Sequence, residues 1–501
     1  MNLPLIPNLI GGQLVGTPGS EPLAVRNPAT GEALAQVAEA SPAQIESAVQ
    51  GAGQAFAAWS QVPLGRRAAV LFKLRALLAE AADEIAAVIS REQGKVLSDA
   101  RGEVARGLEV VDFACGIPQL LKGEYSPQVA NGVDVVSWRE PLGVTVGVTP
   151  FNFPIMVPLW MSPMAIATGN AFILKPSPQD PSAALKLAEL WQAAGLPDGV
   201  FQVLQGGPDV VNALLADPLV RAVSFVGSTP VARQIHATAV TAGKRVQALG
   251  GAKNHAIVLA DANAEFAADS VIAAAFGAAG QRCMALSVVL VEDSIADDFV
   301  TRVVAKAKAV KVAAGDQAGA DMGPLISARA RDRAEAIVSG AERAGAKVVL
   351  DGRGFRPEGL EAGFFTGPTV LDGVTADMPA YTEEIFGPVL SVVRIRDLDD
   401  GIGQINANPY GNGTALFTSS GEAARRFELG VRVGMIGINV PIPVPVGFYS
   451  FGGWKDSLIG DFHIYGPESV NFYTQAKVST RRWPAPEHNS AASFHFGARS
   501  K

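Results

Sequence analysis

Apolar and polar positions alternate between two periods in the middle of the chain. Short β-branched runs at 144–148 and 171–175 are separated by segments with helical spacing at 154–169 and 181–195. Further members of the series are strands at 201–204, 222–226 and 245–249, with helices from Asp209 and Pro230. This alternation predicts an α/β fold with a doubly wound parallel sheet, which binds ligands at the carboxyl ends of its strands.

The flanking segments have other patterns. Ser41 followed by Pro42 predicts the cap and first residue of a run of alanine-rich helices that ends near Gly116. Residues 122–139 are extended and polar and predict a hairpin arm. A second α/β unit is expected from about 251 to 439, and residues 470–473 alternate as in one more strand.

Composition and charge narrow the class of protein. A chain of 501 residues is too long for one core, and its net charge of −7 gives no basic surface for nucleic acid. Two cysteines offer neither a disulfide framework nor a zinc cluster, so no metal site is predicted. Residues 1–7 do not resemble a signal peptide, and apolar runs stop short of the ~20 residues of a membrane helix. We therefore expect a cytoplasmic protein without a membrane partner.

One of the two cysteines, Cys283, lies in the most suggestive stretch of the chain. It falls between an apolar helical run at 266–279 and a β-branched run at 288–291, in a loop that substrate can reach. The adjacent Arg282 would favour the thiolate form and so a nucleophile. A buried cysteine that only fills space is the alternative, and position alone does not decide between them.

Turns at the ends of predicted strands carry further candidate groups. In the turn at 225–230, Gly227 and Ser228 precede a helix, where backbone N–H groups can bind a pyrophosphate. An ordinary capped turn explains the same residues, and the usual GxGxxG fingerprint is absent. Asn152, in the segment PFNFP, offers an amide donor for an oxyanion, although a turn asparagine would look the same.

Three more residues could bind a nucleotide. Lys175 ends a strand on the ligand-facing edge and could bind ribose hydroxyls or phosphate; a solvated lysine is the alternative. Glu384 could bind a ribose and Phe386 could pack on a nicotinamide, although a surface acid and a core phenylalanine explain each one singly.

Taken in order, the segments PFNFP, KPS, FVGST, GQRC, EEIFGP and FGGWK resemble the aldehyde dehydrogenase superfamily over nearly the whole chain. The resemblance implies an aldehyde-dehydrogenase-like α/β fold with two doubly wound parallel-sheet domains and a small β oligomerisation arm. The nicotinamide-dinucleotide-binding domain would comprise residues 1–121 and 141–250, and the catalytic domain residues 251–440. The arm would comprise residues 122–140 and 467–484, and would join a homotetramer.

The same resemblance implies roles for individual residues. Cys283 would be the nucleophile, and Asn152 with the Cys283 backbone N–H would bind the oxyanion. NAD would be the cofactor, bound by Thr149, Phe151, Lys175, Ser177, Gly227, Ser228, Leu249, Glu384 and Phe386.

The superfamily's water-activating glutamate is missing. Most members have Glu-Leu-Gly-Gly-Lys, whereas this chain has Ala-Leu-Gly-Gly-Ala-Lys at 248–253, which puts Leu249 or Ala248 at the glutamate position. Without an activated water, an acyl-enzyme waits for another nucleophile, and a thiol such as coenzyme A would serve as co-substrate.

Four other segments, at 252–255, 281–285, 434–445 and 472–475, resemble the CoA-acylating methylmalonate-semialdehyde dehydrogenases. That group oxidises malonate or methylmalonate semialdehyde, releases CO2 and forms acetyl-CoA or propionyl-CoA. The resemblance implies that Arg106 and Arg282 bind the substrate carboxylate, for which guanidinium is well shaped.

Two departures leave questions open. The group's Asn-Met is replaced by Leu249-Gly250, and Pro178 replaces a glutamate that favours NAD over NADP. A hydrolytic NAD(P)-dependent aldehyde dehydrogenase and a non-catalytic nucleotide-binding protein are the alternative functions.

Overall fold

The computed structural model describes residues 3–16 and 23–484. In chain order the strands are β1 Leu5–Ile6, β2 Asn8–Ile10, β3 Gln13–Val15, β4 Leu23–Arg26, β5 Ala33–Val37, β6 Glu124–Ala130, β7 Val133–Pro141, β8 Val144–Val148, β9 Ala171–Lys175, β10 Phe201–Val203, β11 Val220–Val226, β12 Arg245–Leu249, β13 Asn254–Val258, β14 Leu286–Glu292, β15 Lys347–Leu350, β16 Thr369–Asp372, β17 Val389–Ile395, β18 Tyr410–Gly411, β19 Gly413–Phe417, β20 Met435–Ile438, β21 Trp454–Lys455, β22 Leu458–Ile459 and β23 Thr474–Arg482. The helices are α1 Pro42–Trp59, α2 Leu64–Glu80, α3 Ala82–Gln93, α4 Leu97–Cys115, α5 Ile117–Leu120, α6 Met156–Ala167, α7 Ser182–Ala193, α8 Pro208–Ala216, α9 Thr229–Thr241, α10 Ala264–Phe276, α11 Ala296–Ala309, α12 Ala328–Arg343, α13 Pro379–Thr382, α14 Leu398–Ala407, α15 Gly421–Gly430 and α16 Gly466–Phe472.

The first sheet has eight strands in the order β22-β12-β11-β8-β9-β10-β2-β3. Its five central strands, from β12 to β10, are parallel, which confirms the doubly wound sheet expected from the sequence. These strands are mostly buried because helices cover both faces of the sheet. Their carboxyl ends share one edge, so the loops after β8, β11 and β12 lie together.

The second sheet has seven strands in the order β15-β16-β17-β14-β13-β19-β20, parallel except for β15. The chain passes into it between Leu249 and Asn254 and returns to the first sheet at β22, in a segment that the predicted domains left unassigned. The α/β fold class is confirmed, and the domain boundaries stay a prediction.

A strained turn separates α10 from β14. Residues Gly277–Gly280 form a 3-10 turn in which Ala278 and Ala279 have φ values of 49° and 54°. Left-handed backbone is unfavourable for alanine, so surrounding contacts must hold this turn in place. Cys283 follows three residues after its end.

The arm is a separate three-stranded antiparallel sheet in the order β23-β7-β6. The predicted hairpin is confirmed as β6 and β7. The strand expected at 470–473 is wrong, because α16 occupies that region and the strand begins at Thr474. Pro467 and Glu468 in its first turn favour the helix, and four alternating residues are too few to separate the two periods.

The helical layer confirms the predicted start of α1. The Ser41 hydroxyl accepts from the Gln44 backbone N–H, and the Gln44 side chain accepts from the Ser41 N–H. Helix α4 packs closely on α6, since a Cβ on Gly107 would come within 2.5 Å of Leu159. Among residues 3–16 and 23–484, no helix combines the length and apolarity needed to cross a membrane.

Candidate active site

A cavity of about 540 Å³ lies where the carboxyl edge of the first sheet meets the loops of the second. The predicted residues that line it are Phe151, Asn152, Gly227, Ser228, Cys283, Glu384 and Phe386. Parallel strands bring the first four to one edge, and the strained turn after α10 brings Cys283 to the opposite wall.

Hydrogen bonds fix both sides of the nucleophile loop. The Asn152 side-chain amide donates to the Gln281 carbonyl at 3.1 Å, which ties Asn152 to the loop of Cys283. The Cys283 carbonyl accepts from the side chains of Asn254 at 2.8 Å and Asn412 at 3.0 Å. Sequence analysis assigned no role to these two asparagines; Asn254 lay in a quoted segment, but Asn412 carried no signal.

The Cys283 thiol is strongly disfavoured as a thiolate. Burial, and then the nearby Glu384 carboxylate, raise its pKa to about 12. Arg282 acts in the expected direction but more weakly. Its guanidinium is 2.7 Å from the Asp99 carboxylate, which neutralises much of its charge. Arg282 therefore lowers the pKa of the thiol as expected, but burial and the Glu384 carboxylate outweigh its effect.

The two predicted substrate arginines do not line the main cavity as the described residues delimit it. Arg282 instead lies against Gly277 and lines a second cavity of about 560 Å³. Arg106 forms an ion pair with Glu109 at 2.8 Å and donates to the Val444 and Pro445 carbonyls at 3.0 Å. Arg106 does share a crevice with Trp160, which also lines the main cavity.

Glu384 is held against the turn after β12. Its carboxylate accepts from the Ala252 N–H at 3.0 Å, and a Cβ on Gly251 would lie 2.4 Å from it. Burial raises the pKa of Glu384 to about 7. The neighbouring Lys253, which sequence analysis did not assign, donates to the Ala380 and Glu383 carbonyls, and burial lowers its pKa to about 7.

Phe386 lines the same cavity as Glu384. Its φ of 55° lies in the left-handed region, and its ring meets Phe151 edge-to-face at 5.8 Å. Strain of this kind persists where a site over-determines the backbone. The two aromatic rings form an apolar wall of the cavity.

The remaining cofactor candidates lie beyond the cavity. Lys175 is buried, its Nζ is 3.4 Å from the Gly206 carbonyl, and burial lowers its pKa to about 8. The buried Thr149 hydroxyl has no hydrogen-bond partner among residues 3–16 and 23–484. The Ser177 hydroxyl accepts from the Gln179 N–H. Leu249 packs in the core, and the next two glycines, not Leu249, line the cavity.

The turn after β11 allows close approach of a ligand. A Cβ on Gly227 would lie 2.5 Å from the Phe225 ring, so only glycine fits there. Ser228 is the N-cap residue of α9, yet its hydroxyl makes no capping bond within the described chain, and Pro230 is the second helical residue rather than the first. Three polar groups here lack strong partners: the Ser228 hydroxyl, the Lys175 ammonium and the Thr149 hydroxyl. Such groups fit the phosphates and ribose hydroxyls of a dinucleotide.

Known proteins are similar to this chain over nearly its whole length. A malonate-semialdehyde dehydrogenase of Pseudomonas aeruginosa is 49% identical over 490 residues, which cover 98% of each chain. An acylating, mitochondrial methylmalonate-semialdehyde dehydrogenase of Arabidopsis thaliana is 50% identical over 481 residues, 96% of this chain and 79% of the relative.

Solved structures agree as well. The methylmalonate-semialdehyde dehydrogenase of Oceanimonas doudoroffii has a TM-score of 0.95 at 50% identity and covers 97% of this chain and 99% of its own. A protein of Sinorhizobium meliloti, proposed to be a methylmalonate-semialdehyde dehydrogenase and complexed with NAD, has the same TM-score and coverage at 44% identity. The model of the aldehyde dehydrogenase family matches residues 16–479. This chain belongs to the aldehyde dehydrogenase family.

Proposed function

We propose that this enzyme oxidises malonate semialdehyde, methylmalonate semialdehyde or both to acetyl-CoA or propionyl-CoA, with release of CO2 and reduction of NAD. One observation carries the proposal: Cys283 and Asn152 share a cavity, while the position of the superfamily's water-activating glutamate falls on Leu249 or Ala248, neither of which is a base. The names of the similar proteins from Pseudomonas aeruginosa and Arabidopsis thaliana support the substrate class.

The chain's own groups perform the covalent steps. The Cys283 sulfur attacks the aldehyde carbon, and the second amide hydrogen of Asn152, with the Cys283 N–H, stabilises the oxyanion. The thiol first gives up its proton to water, so that the sulfur attacks as a thiolate. Oxidation leaves a thioester on Cys283.

A nicotinamide dinucleotide fits the groups around the cavity. Lys175, Thr149 and Ser177 would hold the ribose and adenine end, with Gly227 and Ser228 at the pyrophosphate. Glu384, Phe151 and Phe386 would hold the nicotinamide ribose and ring. When bound, NAD supplies the hydride acceptor for the oxidation.

Release of the acyl group completes the cycle. Loss of CO2 leaves an electron pair on the carbon beside the thioester carbonyl, and that carbon takes up a proton. The CoA thiolate then attacks the thioester carbon and expels the Cys283 thiolate. Leu249 has no basic group to activate water, so the thioester waits for this thiol.

Arg106 and Arg282 are proposed to meet the substrate carboxylate. In the free enzyme Glu109 and Asp99 hold them at 2.8 Å and 2.7 Å. The substrate carboxylate must therefore compete with a carboxylate of the chain at each arginine. A small-molecule site of this kind is proposed within a cytoplasmic homotetramer joined through the arm.

The test is one assay with both semialdehydes, NAD or NADP, with and without CoA, following NADH and CO2. We expect NADH and CO2 to form together, with steady-state turnover that depends on CoA. Unchanged turnover without CoA would favour a hydrolytic enzyme that releases a free acid. Cofactor binding with no semialdehyde turnover would favour a non-catalytic protein.

Cys283→Ala tests the nucleophile. We expect NADH formation to disappear, because no thioester can form without the sulfur. Cys115→Ala is the matched control, since Cys115 lies buried in α4 and should leave the activity unchanged. Substantial turnover by the Cys283→Ala variant would overturn the assignment.

A further inference from the structure

Lys95 and Glu103 form an ion pair that is almost completely buried between the loop after α3 and helix α4. Their Nζ and Oε2 atoms are 2.7 Å apart, and the two side chains are only 1% and 0% exposed. A buried ion pair loses much of its Coulombic gain to desolvation, so it is weak evidence for stability by itself. The hydrogen bonds that the pair makes to other residues therefore indicate its role better than the attraction between Lys95 and Glu103.

Both members of the pair bind the loop that carries Asn152. Lys95 Nζ donates to the Asn152 carbonyl at 2.6 Å. The second oxygen of Glu103 accepts from the Ile155 and Met156 N–H groups at 2.9 and 3.1 Å. These N–H groups lie at the start of α6 and would otherwise lack hydrogen-bond acceptors. Glu103, on α4, therefore caps the amino terminus of α6.

The ammonium of Lys95 also packs over the ring of Phe153, at 4.3 Å from its centroid. The pair therefore contacts the loop at three points. These are the Asn152 carbonyl, the Phe153 ring, and the Ile155 and Met156 N–H groups. The Asn152 side chain itself makes one hydrogen bond in the described structure, to the Gln281 carbonyl. Its placement is therefore set chiefly by its backbone.

We propose that Lys95 and Glu103 are a positioning pair that aims the Asn152 amide at the oxyanion. The inference rests on the proposed function only in that Asn152 acts as an oxyanion donor. Removing one such donor typically costs about 10²- to 10³-fold in rate, and a misplacement of about 1 Å can cost as much.

The test is a double-mutant cycle of wild type, Lys95→Met, Asn152→Ala and the combined variant. Acylation of Cys283 by 4-nitrophenyl acetate is the readout, because the thiolate displaces 4-nitrophenolate without needing NAD or semialdehyde. Pre-steady-state formation of NADH from semialdehyde is the second readout. We expect Lys95→Met to slow acylation at least about tenfold, and to cost almost nothing more in the Asn152→Ala background.

A further variant separates positioning from folding. Lys95→Met leaves a buried, unpaired carboxylate, so Lys95→Met/Glu103→Gln removes both charges. We expect this double variant to regain thermal stability without regaining the acylation rate. Lys73→Met, at an exposed site on α2, is the matched control and should behave as wild type.

The outcomes distinguish the two proposals. Absence of semialdehyde turnover in wild type sinks the proposed function, while the ester cycle still tests the positioning pair. Fully multiplicative losses from Lys95→Met and Asn152→Ala, or an unchanged acylation rate in Lys95→Met, would overturn the inference. Recovery of the rate together with stability would reduce the pair to a structural role.

Discussion

Cys283 and Glu384 line the same cavity, and both are negatively charged when they lose a proton, so ionisation of one disfavours ionisation of the other. Burial raises the pKa of both, and the Glu384 carboxylate further raises that of the thiol. Above pH 7 Glu384 is mostly ionised, so its charge suppresses the thiolate in the pH range where the enzyme needs it. Any event that moves this carboxylate away from the sulfur, such as binding a ribose, therefore activates the nucleophile.

Glu384→Gln tests this coupling. Removing the charge should lower the pKa of Cys283, so that alkylation by iodoacetamide at pH 8 is about three- to tenfold faster. The measurement is the alkylation rate as a function of pH. Glu383→Gln is the control, because Glu383 pairs with Arg333 at the surface. Identical pH profiles for the Glu384 variant and wild type would contradict the coupling.

The residues that could be predicted from the sequence are those that lie in a recognisable local segment. Cys283 and Asn152 sit in ordered segments that resemble a known family, and the cavity brings them together. It could not foresee that Asp99 holds Arg282, because that contact joins positions far apart in the sequence. Lys95 was missed for the same reason, because nothing in its local sequence indicates that it donates a hydrogen bond to the Asn152 carbonyl.

Helix α4 connects three parts of the active-site region through one face. Asp99, Glu103 and Arg106 follow one another at helical spacing. They bind the nucleophile loop, the Asn152 loop and the carbonyls of Val444 and Pro445 respectively. A shift of this helix would therefore disturb all three contacts at once.

Asp99→Asn separates the two contacts of this residue. Asparagine keeps an oxygen for the Ala278 N–H of the strained turn, at 3.0 Å, but loses the charge that holds Arg282. Because the substrate carboxylate then competes with no anion there, we expect KM for the semialdehyde to fall about two- to fivefold. Steady-state kinetics measure this, and KM for NAD should stay unchanged.

The control for that variant lies on the same helix. Asp112→Asn breaks the exposed pair with Arg75 and should leave both KM values as in wild type. A higher semialdehyde KM in Asp99→Asn would mean that Arg282 does not meet the substrate.

Elements with clear boundaries were predicted best. The strands at 171–175 and 245–249 match β9 and β12 residue for residue, because Gly, Asn or Pro residues flank each run and mark its ends. The segment at 470–473 failed, because Val470, Phe472 and Tyr473 are buried on the face of a short helix and its continuation. Burial on one side gives the same short pattern for either period.

At the scale of the whole molecule, the arm has exposed apolar side chains that packing within one chain does not explain. Apolar side chains lie exposed on it: Tyr125, Val129, Val478 and Trp483. Exposed apolar groups on a thin sheet favour contact with another copy. The sequence predicted the hairpin, but not that β23 pairs with β7 along its full length, since this pairing joins segments that lie far apart in the sequence.

Val478→Asp tests the role of the arm. Val478 is 62% exposed on β23, and a charge there should oppose an apolar contact between subunits. We expect sedimentation velocity to show a smaller species than wild type. Val231→Asp places the same charge at an exposed site on α9, outside the arm, and should leave the sedimentation unchanged. Equal sedimentation of all three proteins would exclude the arm as the contact.

The return of the chain to the first sheet has a consequence for biosynthesis. The sheet begins with β2 and β3 near the amino terminus, and its far edge is completed only by β22, paired with β12. The adjoining β21 pairs with β18 in a separate two-stranded sheet. A ribosome must therefore translate nearly the entire message before the last edge strand of the first sheet can pair.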